Sequence, residues 1–503
     1  MPANAENIPE VQEPSEAALE DNNIVDVGIL QLRLPCRAFQ IAYKVAETGE
    51  LSLTTEFLLR LLRLADGLPE TSISEFFGFT PDETQFVVDY VEGKGYTQRR
   101  NGRVSLTSGG RSLFVGSEEP ALFEVTPKLE RFDFDLVSYT PADTWNRLGE
   151  FENKLPELSI ASHSAGENTS EHVLRAFKRY FQIFLQRKGG PKLDRRKLYT
   201  VDAVHADLRF SVLVPVTLSV RIDEPSFLEA DLLSWKTGAE LDDRGSVVES
   251  CVKFAKEITF RSDQISSASV DALQECAPLQ MSGFVKGHVF DSGAFFRATM
   301  QQVGAFRIDR PTLRVVGQVW TNANRARLAS ALHYAKVQER TLPELLIWLK
   351  PATPYWGATT RLQDTIEAVN RTFMREGEDT NRTLRSVVIG TEDKRAANAL
   401  KHVFGSVLHT RPQDLPGGLE LLIVPGVLAY MAVHGPLGQK EGFPIPLGVM
   451  TFDLEAVKRA QIELSKILAT AHSTQFYCDW LSDDVMSEVH NVLLGSPRIQ
   501  STI

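Results

Sequence analysis

Gly417-Gly-Leu-Glu-Leu-Leu-Ile-Val-Pro-Gly-Val-Leu-Ala-Tyr-Met-Ala-Val-His-Gly-Pro-Leu437 is the stretch on which the fold turns. Leu419 to Val424 is a short, nearly continuous apolar run, Pro425-Gly426 is a turn signal, and Val427 to Val433 is a second apolar run. Such a pair reads as a buried β-hairpin. Outward from it, strand-like segments (Leu313 to Trp320, Glu344 to Leu349, Leu384 to Gly390, Pro446 to Asp453) alternate with segments of helical spacing (Asn324 to Glu339, Arg361 to Met374, Asp393 to Val403, Leu454 to Leu468). That alternation predicts an α/β sheet.

The hairpin and the elements around it, over residues 310 to 475, resemble the core of the phospholipase D superfamily. The family pattern is His, any residue, Lys, four residues, Asp at the turn, then a second strand ending in Gly-Ser-x-Asn. Laid on this chain without a gap, the His falls on Gly418, the Lys on Glu420, the Asp on Pro425 and the Asn on Gly435. The resemblance implies a site in which a His nucleophile forms a covalent phosphoryl intermediate while Lys and Asn stabilise the phosphate oxygens. Here Gly418 offers no nucleophile, and Glu420 repels a phosphate where Lys attracts it. His434 lies beside the lost Asn position, and a lone His is more often structural than catalytic. The expectation is a domain without phosphodiesterase activity, and no catalytic residue is assigned.

The length of 503 residues predicts two to four domains, and 43% hydrophobic content is ample for buried cores. A net charge of -11 and a pI near 5.5 argue against a protein that coats nucleic acid or an anionic membrane with its whole surface. Cys36, Cys251, Cys276 and Cys478 have neither close pairing nor metal-type spacing, which fits a reducing cytosol. No run approaches a membrane span, and the N-terminus lacks a signal pattern, so the chain reads as cytoplasmic with no membrane partner. Residues 1–27 hold Glu6, Glu10, Glu13, Glu16, Glu20, Asp21 and Asp26 with no Lys or Arg, the composition of a disordered acidic tail.

Within residues 28–118 the clearest unit spans Leu51 to Phe114. Thr54 or Thr55 can cap a first helix with an apolar face of Phe57, Leu58, Leu61, Leu62 and Leu64. A second helix, Ser72 to Phe77, breaks at Gly78. Thr80-Pro81 starts a third, with Phe86, Val87, Tyr90 and Val91 expected inside. Asn101-Gly102 between Tyr96 to Arg100 and Arg103 to Leu106 signals a hairpin. The order resembles a winged helix-turn-helix, which implies DNA or protein binding. The third helix carries Asp82, Glu83, Asp89 and Glu92, a poor surface for phosphates, whereas Arg99, Arg100 and Arg103 on the wing are candidate DNA contacts.

Residues 119–309 read as an α+β middle region. Between Ser170 and Thr200 it holds nine basic residues (Arg175, Lys178, Arg179, Arg187, Lys188, Lys192, Arg195, Arg196, Lys197) against Glu171 and Asp194, a local net of +7. This segment, 170–200, is either the best candidate DNA-binding patch or a solvated helix face and loop. A helix is expected over Glu171 to Gln186, then two strands, Leu198 to Ala206 and Leu208 to Ile222. Asp202, His205 and Asp207 cannot share one metal, because alternate strand residues point to opposite faces. Asp223, Glu224, Glu229 and Asp231 lack the Lys that a metal-dependent nuclease pairs with its carboxylates. No metal or cofactor is implied.

The fold class is α/β and α+β multidomain: winged helix, α+β middle region and, over residues 310–503, a degenerate phospholipase D-like α/β domain. Two functions fit. One is a non-catalytic, DNA-associated scaffold or adaptor subunit of a bacterial multi-protein system such as antiphage defence, binding other protein subunits or itself. The other is an active nuclease or phosphodiesterase with an unrecognised site, or a transcriptional regulator. For the subunit reading, Tyr430, Met431, Phe443 and Ile445 near the altered motif are the candidate partner contacts, with core packing as the alternative.

Overall fold

A computed structural model describes residues 23–494 apart from 50, 115–119, 121, 143–147, 161–168, 190–195, 236–240, 303, 341–344, 374–383, 392, 472 and 479–484. The chain forms two compact units. The larger takes the described residues of Met1–Pro35, Asp143–Ile160 and Ser211–Ile503, and the smaller those of Cys36–Ala142 and Ala161–Phe210. The middle region expected at 119–309 is therefore shared between the two units rather than forming a third.

The larger unit is built on an eight-stranded mixed sheet. Its order is Thr312–Val316, Ile445–Thr451, Leu428–Gly435, Leu419–Val424, Leu345–Leu349, Arg385–Thr391, Ser406–Thr410 and Ser473–Cys478. Leu345–Leu349, Arg385–Thr391 and Ser406–Thr410 run parallel, and the helices Arg361–Phe373 and Lys394–Leu400 make the crossovers between them. The expected hairpin is present, turning at Pro425-Gly426 with Gly426 at φ +70°. Every residue of Leu419–Val424 and Leu428–Gly435 is buried, which accounts for apolar runs that do not alternate. Close strand contact also demands Gly448, because a Cβ there would sit 1.9 Å from the carbonyl oxygen of Met431.

This burial corrects the partner-contact assignment. Tyr430 and Met431 are 0% exposed, Ile445 2% and Phe443 9%, so all four are interior packing and none is available to a partner. An apolar residue beside a turn looks exposed in sequence, but here both sheet faces are covered.

In the smaller unit, residues 36–49 pair antiparallel with 122–135. Helix Thr169–Lys188 contributes Phe177, Phe181 and Phe184 to an edge-packed aromatic cluster with Tyr43 and Phe132. The same unit holds three helices, Leu53–Leu64, Glu70–Phe77 and Pro81–Gly93, followed by the hairpin Thr97–Arg100 and Arg103–Leu106. Leu68–Pro69 adds a third short strand to that hairpin. The turn takes Asn101 and Gly102 at positive φ, the geometry expected of Asn-Gly.

Four local expectations are corrected. The first helix is capped by Ser52, whose hydroxyl accepts from the Thr55 amide, and it buries Thr55, Leu58, Leu59 and Leu62 while Phe57 and Leu64 face out. The third helix has a full capping box between Thr80 and Glu83, but buries Thr84, Val88 and Val91; Phe86 is 73% and Tyr90 51% exposed. The two strands expected over Leu198 to Ile222 are one, Arg196–Arg221, and a further strand, Ile24–Gly49, begins inside the segment read as tail. Residues 1–22 lie outside the described residues.

Candidate functional site

At the start of strand Leu419–Val424, Gly418 takes φ +82°, and its carbonyl accepts from the His434 amide at 2.8 Å. Gly418 and His434 therefore oppose each other across the ladder, which puts the side chains of Glu420 and His434 diagonally adjacent on one face. Glu420 Oε2 meets His434 Nε2 at 2.5 Å. Glu420 Oε1 accepts from the indole nitrogens of Trp348 at 2.9 Å and Trp356 at 3.0 Å. Trp320 packs edge-on to Trp356 and tilted to Trp348, completing a ring of aromatics around the carboxylate.

Both members of the pair are 1% exposed. An isolated carboxylate at such a depth costs several kcal/mol, and the three donors are what make it tolerable. Every one of those donors points inward. The cluster can orient side chains and fix strand register, but a buried imidazole whose Nε2 is held by Glu420 is not presented to a substrate. Gly435 is equally closed, since a Cβ there would lie 2.5 Å from Ile265 Cδ1.

The role of Glu420 as acceptor for two indoles has no signature of its own in the sequence. The available signal is a lone Glu inside the run Leu419-Glu-Leu-Leu-Ile-Val424 with a His fourteen residues later, a spacing the hairpin turns into a cross-strand pair. Nothing in the sequence marks out Trp348 or Trp356. The same holds for Lys350, which follows strand Leu345–Leu349 and lines an open cavity.

Several of the basic candidates are engaged by acidic or carbonyl groups, and several are exposed. Arg99 is bonded to Glu70, Asp89 and Glu92; burial works to lower its guanidinium, but Asp89 and Glu70 hold it above the ordinary value. Arg103 donates to the Gly67 carbonyl. Arg187 donates to the Ala142 carbonyl, and Lys188 pairs with Glu130 and lies over the Phe132 ring. Arg196 is half-buried at the head of its strand. Arg175, Lys178 and Arg179 share one exposed face of Thr169–Lys188, with Arg179 over Tyr180. Arg100 and Lys197 are exposed. Lys192 and Arg195 lie outside the described residues.

Among the described residues no group of His, Cys, Asp and Glu is arranged to hold a metal ion, and no helix is long and apolar enough to cross a membrane. Asp202 instead pairs with Lys44, and Asp223 with Arg221. No protein-family model, curated protein or solved structure matches the chain.

Proposed function

We propose that the protein is a non-catalytic scaffold or adaptor subunit that associates with DNA, its larger unit carrying an inactivated phospholipase D-like domain and its smaller unit a winged helix. The observation that carries this reading is the Glu420–His434–Trp348–Trp356 cluster. At the positions where the resembled family places nucleophile and phosphate-binding cation there is a glycine and a carboxylate, and the nearby imidazole is buried and bonded.

DNA association in this reading rests on Arg175, Lys178 and Arg179, which are exposed on one helix face, with Lys197 and Arg100 as additional contacts. Arg99 drops out, because its charge is already answered by three carboxylates. The third helix, with exposed Asp82 and Asp89, is unsuited to a groove lined by phosphates. A protein-contact role for that helix is the second reading, favoured by Phe86 and Tyr90 standing exposed one turn apart. Gel-shift titration at several salt concentrations tests the DNA component, and a chromogenic phosphodiester tests the absence of catalysis.

A further inference from the structure

An open cavity walled in part by Trp356, the indole bonded to Glu420, has a volume of about 370 Å³. It sits at the carboxyl ends of the parallel strands Leu345–Leu349 and Arg385–Thr391, where ligands of open α/β sheets bind. Its apolar wall is Phe151, Leu155, Trp356 and Leu400, all nearly buried, together with Tyr355. The volume falls in the lower part of the range for small-molecule sites, roughly 300–1,000 Å³.

Three features show that this wall is held in place. The Trp356 indole N–H is anchored on Glu420, so its ring cannot rotate without breaking that bond. Tyr355 adopts φ +52°, a conformation that non-glycine residues avoid at a cost of about 1–3 kcal/mol, and packs on Phe254 at 4.8 Å while remaining 45% exposed. Gly357, at φ +73°, closes the loop against Leu362. The Lys350 stem lies across Gly390 so closely that a Cβ there would be 2.7 Å from Cε, so the absence of a side chain at 390 is what gives the lysine its place.

The charged lining is unbalanced. Lys350, Lys154 and Arg395 face a single carboxylate, Asp393, which already caps the helix Lys394–Leu400. Burial lowers the Lys350 amine below its ordinary value and Asp393 opposes that shift, so an anion bound in the cavity gives the buried amine a counter-charge that Asp393 supplies only in part. A formal surplus of two positive charges matches a phosphomonoester, which carries about -1.5 to -2 at neutral pH. A flat aromatic wall next to it matches a planar ring.

We propose that this pocket binds a phosphomonoester carrying a planar ring, a ligand of mononucleotide size, with Lys350 and Arg395 on the phosphate and Trp356 and Tyr355 against the ring. No bond is made or broken. No residue of the altered hairpin motif lines the site, which meets the motif only through the Trp356–Glu420 bond, so ligand binding is tested separately from the loss of phosphodiesterase chemistry.

Isothermal titration of the full chain with AMP, adenosine and inorganic phosphate tests it. AMP is expected to bind with a sub-millimolar constant and adenosine and phosphate at least about tenfold more weakly, a difference of about 1.4 kcal/mol each. Lys350→Met is expected to weaken AMP about tenfold or more, and Arg395→Gln several-fold, with adenosine unchanged in both. Should Lys350→Met fail to fold, the exposed Arg395→Gln decides. Absence of AMP binding at millimolar concentration, AMP affinity indifferent to both substitutions, or phosphate binding as tightly as AMP would each overturn the assignment.

Discussion

Replacing Glu420 by Ala removes the acceptor shared by Trp348, Trp356 and His434 in one step. Each of the three buried donors left without a partner costs about 1–3 kcal/mol. Relief of the buried carboxylate offsets part of that sum, leaving an expected loss of about 4 kcal/mol. Glu420→Gln is the discriminating control. Its carbonyl oxygen keeps both indole bonds and its amide donates to His434 Nε2 once the imidazole takes the Nδ1–H tautomer, so the expected loss is only about 1 kcal/mol. Urea unfolding followed by tryptophan fluorescence reads both, since Trp320, Trp348 and Trp356 report directly from the cluster. At an m-value of about 2 kcal/mol/M the Ala variant shifts its midpoint down by about 2 M. An Ala variant within about 1 kcal/mol of the native protein, or a Gln variant as damaged as the Ala variant, would refute the claim that this cluster is a structural hydrogen-bond hub.

Reversing Arg175, Lys178 and Arg179 to Glu is expected to abolish salt-sensitive DNA binding, and neutralising them one at a time to flatten the log-log salt dependence by about 0.9 for each phosphate that no longer meets a cation; unchanged slopes in a gel-shift series would remove this face. Arg99→Ala is expected to leave DNA affinity unaltered while lowering the melting temperature, because its partners are Glu70, Asp89 and Glu92; a loss of affinity without a loss of stability would reverse that assignment. Burial, then the bond to Glu130, raises the Tyr43 hydroxyl far above its ordinary value near 10. A group raised in the folded state contributes stability that is present below the unfolded value and lost as pH rises above it, so stability is expected to fall above about pH 10. Tyr43→Phe should flatten that decline in pH-dependent thermal unfolding.

The α/β sheet is legible in the sequence because its strands are unbroken apolar runs between turn signals. Leu419–Val424 is bounded to the residue, and Leu345–Leu349 and Arg385–Thr391 to within one. Ser406–Thr410 goes unread, since Ser, His and Thr outnumber its two apolar residues and it is a strand only through its neighbours in the sheet. Arg196–Arg221 reads as divided at Asp207, a residue poor in strands, although the backbone continues through it. In the third helix of the smaller unit the pattern gives the helix but the wrong phase, because Phe86 and Tyr90 outweigh Thr84 and Val88 in hydrophobicity while packing selects the smaller side chains. The cavity at Lys350 is invisible, its lining coming from three separated segments around residues 151–156, 350–358 and 393–400 with no motif in any of them.

The central proposal, that the hairpin carries a sealed structural cluster and no phosphodiesterase site, is tested most directly by incubating the purified full chain with a chromogenic phosphodiester in the presence of a chelator. No hydrolysis above background is expected for the native protein or for His434→Ala. Metal-independent hydrolysis by the native protein that disappears in His434→Ala, with folding intact, would contradict the account.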